Sequence, residues 1–145
     1  MIQIFSNSLG EEELNAVKKV FESKWIGFAN ESKLFEKEFG ETIGSRNVLA
    51  VNCCTAGLFM SMRILGIGPG DEVIMPTFTI ISCPLAVVTN GGIPVLVDAD
   101  PRTWCMDVGQ VEARITSRTR AIMVVHIYGH PVDMDPLMEL AKERG

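Results

Sequence analysis

From Val48 onward, short apolar runs alternate with longer segments of helical periodicity. The runs are Val48–Val51, Glu72–Met75, Pro94–Val97 and Ala121–Ile127. None keeps a strict apolar–polar alternation, the pattern of strands covered on both faces. Between them, Thr55–Leu65 reads as a helix closed by Gly66. Ile80–Thr89 reads as a second, stopped by Asn90-Gly91-Gly92. Asp107–Ile115 carries Val108, Val111 and Ile115 on one helical face, with Asp107 and Gln110 at capping-box spacing. A last helix starts near Asp133 or Asp135, with Pro136 favoured at its first position, and Gly145 follows its basic last turn as a C-cap. Strand–helix alternation predicts an α/β fold: a mostly parallel sheet flanked by helices.

The first forty-five residues read differently. Ser8 and Glu11 have capping-box spacing, and Leu14, Val17 and Phe21 then share a helix face. Asn30 is placed to cap a second helix carrying Leu34, Phe35 and Phe39. The apolar loop Lys24–Phe28 joins them, with Trp25 suited to packing, an interface or a ligand mouth. The predicted division is a helical segment over 1–45 and an α/β region over 46–145.

Composition narrows the function classes. A chain of 145 residues with 47% hydrophobic and 21% charged residues supports one globular core. A net charge of −5 argues against a general basic surface for nucleic acid. No apolar run reaches membrane-spanning length and no signal pattern opens the chain, so a soluble cytoplasmic protein without membrane partners is expected. The four cysteines, Cys53, Cys54, Cys83 and Cys105, form no CxxC pair and are expected to be reduced, mostly buried thiols, with no metal site.

In open α/β sheets ligands bind at the carboxyl ends of the strands. That directs attention to Asn52–Thr55, Pro76–Ile80, Asp98–Asp100 and His126–Gly129. The first is a strand-to-helix turn whose helix N-terminus offers N–H groups and a positive dipole end to an anion, with the Thr55 hydroxyl beside them. The turn has neither the Gly-Lys-Ser/Thr of a phosphate loop nor the glycine trio of a dinucleotide site. His126 and His130 read as hydrogen-bonded structural residues. Tyr128, Trp104 and Met106 read as packing, and Asp98, Asp100 and Asp133 as turn and cap residues.

Taken in order, the motifs resemble one family. Gly66-Ile67-Gly68-Pro69-Gly70-Asp71-Glu72-Val73-Ile74-Met75-Pro76-Thr77-Phe78-Thr79 is similar to the LGIGPGDEVI-P-FT block of the DegT/DnrJ/EryC1/StrS sugar aminotransferases. Asn52–Leu58 resembles that family's SSGTAAL turn, Pro94–Pro101 its PVFVDIDP, and Ile115–Asp135 its ITPRTKAI and VHLYGQPADMD segments. Ser23–Ile26 and Phe35–Phe39 resemble SGWI and FE..F. The resemblance covers nearly the whole chain. It implies the first part of the large domain of a fold type I enzyme dependent on pyridoxal 5′-phosphate (PLP). The implied reaction moves an amino group from an amino-acid donor, typically glutamate, to a keto-sugar nucleotide, in a homodimer.

By the same resemblance Cys54 and Thr55 hold the cofactor phosphate, and Ile80 covers the cofactor ring where relatives often have an aromatic residue. Cys54 stands where the family prefers glycine, which costs energy if the position needs positive φ. The carboxylate for the ring nitrogen and the Schiff-base lysine are implied to lie beyond Gly145. These residues are therefore expected to contain no catalytic residue and to be inactive alone. Two other readings stay open: a non-catalytic, partner-binding remnant, and a PLP-dependent sugar dehydratase of the same family.

Overall fold

The computed structural model describes residues 6–145, so the first five positions of the expected helical segment lie outside the described residues. The chain forms two compact units, one ending at Ala50 and one spanning Val51–Gly145.

The first unit holds α1 (Glu11–Glu22) and α2 (Asn30–Ile43). The α1 cap differs in register from the Ser8/Glu11 expectation. The helix begins at Glu11, so Glu13 is the third residue, and its carboxylate accepts the Gly10 N–H at 2.7 Å. Asn30 is the first helical residue instead of the cap, which is Ala29. Both helices keep their apolar residues exposed, Leu14, Val17, Phe21 and Phe35 among them. The Phe35 and Phe39 rings stack at 5.7 Å.

Val48–Val51 is not a strand. A strand exists through its ladder, and here the Ala50 N–H is taken by the Glu36 carboxylate at 2.8 Å.

The second unit runs α3 (Cys54–Ile64), β1 (Glu72–Pro76), α4 (Ser82–Thr89), β2 (Ile93–Val97), β3 (Thr119–Ile122) and α5 (Met134–Arg144). The strands form one sheet in the order β2-β1-β3, and both pairings are parallel. Val73 lies opposite Pro94 and Ala121, and Ile74 opposite Val95 and Ile122. Pro94, which cannot donate to a ladder, sits on an edge strand of this sheet.

All five residues of β1 are buried, and the pleat divides them between two cores. Val73 and Met75 pack with Met62 of α3 and with Cys83, Ala86 and Val87 of α4. Ile74 packs on the other face with Val97, Met106, Val111 and Leu137 of α5. Helices therefore cover the sheet on both sides, the α/β arrangement that the sequence pattern predicts.

Two elements differ from expectation. Asp107–Ile115 forms two 3₁₀ turns, Val108–Gln110 and Glu112–Arg114, in place of an α-helix. Gly109 and three β-branched residues in nine give it weak helical propensity, while Asp107 and Gln110 still cap the first turn. β3 ends at Ile122, five residues early. Its pairing continues only to the Met123 N–H, which donates to the Ile74 carbonyl at 2.8 Å, and β1 then runs out at Pro76, which has no N–H.

The amino edge of the sheet is tied by charge. Glu72 is 4% exposed, and its carboxylate accepts from the Thr116 hydroxyl and the Arg118 guanidinium. Asp71 pairs with Arg120 at 3.0 Å. The Thr116 hydroxyl, then Arg118, holds the Glu72 carboxyl below its ordinary range, and Arg120 does the same for Asp71.

Candidate anion site at the carboxyl edge of the sheet

At the opposite edge α3 and α4 begin, as does α5 after β3. In α3, Cys53 is the extended N-cap (φ −163°, ψ 161°), and the first helical hydrogen bond runs from the Gly57 N–H to the Cys53 carbonyl. The N–H groups of Cys54, Thr55 and Ala56 therefore precede any helical acceptor, and the Cys53 side chain caps none of them. Cys54 does not occur among the positive-φ residues, so a side chain at this position carries no left-handed backbone strain. Cys53 and Cys54 are both exposed, whereas Cys83 and Cys105 are buried, so the expectation of mostly buried thiols holds for two of the four. The exposed pair stands at a helix start, where side chains project toward solvent.

α3 and α4 lack acidic residues in the first turn. The other three α-helices of the described residues carry them: Glu11, Glu12 and Glu13 in α1, Glu31 in α2, Asp135 in α5. A first-turn carboxylate neutralises the positive end of the helix dipole. At α3 and α4 that end is left for another anion. The two starts meet through side chains, with the Thr55 and Ser82 hydroxyl oxygens 3.0 Å apart. Ser82 is the first residue of α4 and half-buried.

The loop before α4 is anchored where the Thr77 N–H donates to the Val97 carbonyl at 2.8 Å. Ile80 is 66% exposed, two positions before Ser82. Phe78 gathers an aromatic cluster with one ring from the connection after each strand. Trp104 meets it edge-on at 5.3 Å and Tyr128 at 6.2 Å. Trp104 and Tyr128 adopt φ of 64° and 50° and are 57% and 86% exposed, so their packing is against Phe78 at the surface and not in the core.

Two of the remaining candidates, His126 and Asp100, take local structural hydrogen bonds. His126 accepts the Val132 N–H on Nδ1 at 3.1 Å. Asp100 accepts the N–H groups of Arg102 and Thr103 at 2.7 and 3.1 Å. The Arg102 N–H, with its guanidinium behind it, holds the Asp100 carboxyl below its usual range. Asp133 is the N-cap of α5 but its side chain accepts no capping bond. Ser82 is absent from the sequence-based candidates. Its signal is a hydroxyl residue opening an apolar helical run. The positive φ of Trp104 and Tyr128 has no such signal.

Three N–H groups, two hydroxyls and two uncompensated dipole ends suit a phosphate monoester, which accepts several hydrogen bonds and carries the charge that these dipoles attract.

Residues 7–145 match the DegT/DnrJ/EryC1/StrS aminotransferase family. The chain is 40% identical over 144 residues to GDP-perosamine synthase of Escherichia coli O157:H7, covering 99% of this chain and 40% of that protein. It superposes on the aminotransferase TlmJ from Streptoalloteichus hindustanus with a TM-score of 0.94 and 42% identity, covering 100% of this chain and 40% of that one. With NtdA from Bacillus subtilis, crystallised with bound cofactor PMP, the TM-score is 0.87 at 33% identity, over 92% of this chain and 31% of that one. The chain spans 35–40% of the length of the curated relatives it matches.

Proposed function

Because the chain belongs to the DegT/DnrJ/EryC1/StrS aminotransferase family, we propose that it supplies the phosphate-holding part of a PLP-dependent nucleotide-sugar aminotransferase. The observation that carries this reading is the start of α3. Its free N–H groups, on Cys54, Thr55 and Ala56, stand at the carboxyl edge of a parallel sheet with no carboxylate in the first turn. The cofactor, when bound, supplies the electron sink for transamination. The chain's own residues bind and orient it. The Cys54 and Thr55 N–H groups and the Thr55 hydroxyl take the phosphate, and the exposed Ile80 side chain covers one face of the ring by dispersion.

The name of the perosamine relative and the PMP bound to NtdA support a phosphorylated pyridine cofactor and a nucleotide-linked sugar substrate; an amino acid as donor belongs to the same reading. PMP is the amino form of PLP. Polysaccharide or antibiotic-sugar biosynthesis in the cytoplasm is the setting of this reading. A homodimer is part of it as well: the exposed apolar residues of α1 and Trp25 suit an interface. The unit from Val51 to Gly145 has a single lysine, Lys142, in the last turn of α5. Helices that cross back over a parallel sheet end at its amino edge, so this amine stands at the opposite edge from the α3 start. In this reading the unit holds the phosphate and contributes no amine nucleophile there.

Titration of the chain with PLP and with pyridoxal, followed by absorbance, tests the reading. PLP is expected to bind at least about tenfold more tightly, the value of one hydrogen-bonded charge. Equal affinity for the two compounds overturns it.

A further inference from the structure

We propose that Ser82 is a positioning residue of the phosphate site, setting the hydroxyl proton that Thr55 presents to the anion; this rests on the reading above. The observation is the 3.0 Å contact between the Thr55 and Ser82 hydroxyls, which links residues 27 apart in sequence and joins the starts of two helices.

Three hydroxyls further along helices are satisfied locally. Thr42, Ser61 and Thr89 each donate to the carbonyl four residues back, at 2.8, 2.9 and 2.7 Å. Thr55 and Ser82 stand in first turns, where no helical carbonyl lies behind them. Ser82 does not cap α4, whose N-cap is Ile81 with no side-chain capping bond. Each hydroxyl has the other as its partner.

Proton counting gives the consequence. Two hydroxyls carry two protons, and one is used between them. When Ser82 donates to Thr55, the Thr55 proton is left to point outward; in the reverse sense the Ser82 proton is. Either way the pair offers one directed O–H donor to an incoming anion. The charge of the anion polarises the pair and strengthens the bond inside it. Without the Ser82 hydroxyl, Thr55 loses the partner that fixes its rotamer, and its proton is no longer aimed. Ser82 also places the uncompensated positive end of α4 beside that of α3.

The test is the ratio of PLP to pyridoxal affinity in the wild-type chain, Ser82→Ala, Ser82→Thr, Thr55→Val and the double variant Thr55→Val/Ser82→Ala, each checked by far-UV circular dichroism. Ser82→Ala is expected to lower PLP affinity about tenfold and leave pyridoxal affinity unchanged, the loss typical of a hydrogen bond to a charged group. Ser82→Thr is expected to restore most of the ratio. The double variant is expected to bind PLP no more weakly than Thr55→Val, because the two hydroxyls act as one unit. A wild-type ratio in Ser82→Ala, or an equal loss for both ligands, overturns the proposal. So does an additive double variant; should Ser82→Ala fold poorly, the near-isosteric Ser82→Cys, a weak hydrogen-bonding partner, is read in its place, and a wild-type ratio there overturns the proposal. A wild-type chain that does not distinguish PLP from pyridoxal sinks the phosphate reading itself, a separate result.

Discussion

Among the described residues, Glu72 is a charged side chain held in the buried part of the fold. It is buried at the amino edge, and the Thr116 hydroxyl and Arg118 hold its carboxyl below the ordinary value. A carboxyl depressed in the folded state stabilises that state above its ordinary range, and the contribution is lost as pH falls through the lowered folded value. Urea unfolding across an acid pH series is expected to show stability falling through that window in the wild type. In Glu72→Gln the midpoint is expected to be lower at neutral pH and flatter on the acid side. Identical acid limbs would contradict the assignment. Little of this network was legible beforehand, because Glu72, Thr116 and Arg118 are brought together by strand register across 44 and 46 residues. The same holds for Ser82, whose partner Thr55 lies on another helix. The start of α3 at Cys54 and Thr55 was legible, because a helix start after an apolar run is a local feature, whereas the backbone angle of Cys54 is not.

At the scale of elements, the turn joining α4 to β2 is the tightest constraint. A Cβ added at Gly92 would lie 2.6 Å from Ile67 Cγ2 and 3.0 Å from Val87 Cγ1, and both side chains are buried. Gly92→Ala is expected to lower stability by about 1–3 kcal/mol, the usual cost of overpacking. A thermal melt that does not move would show that the core there can yield. The elements legible in the sequence were those with local punctuation: α3 before Gly66, α4 before Asn90-Gly91-Gly92, β1 and β2 as short apolar runs, α5 before Gly145. The misread ones depend on partners. Val48–Val51 has a strand composition but no ladder. The Asp107–Ile115 face has helical spacing, but Gly109 and its β-branched neighbours settle as 3₁₀ turns packed under β1 through Val111.

At the scale of the whole molecule, the charge plan separates the two edges of the sheet. The amino edge uses carboxylate–guanidinium pairs, Glu72 with Arg118 and Asp71 with Arg120. The carboxyl edge has two helix starts without first-turn acids. In a chain of net charge −5, the proposed anion site relies on this local arrangement and not on a general basic surface. Among the described residues no helix is long and apolar enough to cross a membrane. The central claim is that the start of α3 receives the cofactor phosphate. Amide chemical-shift mapping of the isotopically labelled chain during titration with PLP tests it most directly. The largest shifts are expected at the Cys54, Thr55 and Ala56 amides, with smaller ones at Ser82. Shifts concentrated elsewhere, or the same pattern with pyridoxal, would contradict the account.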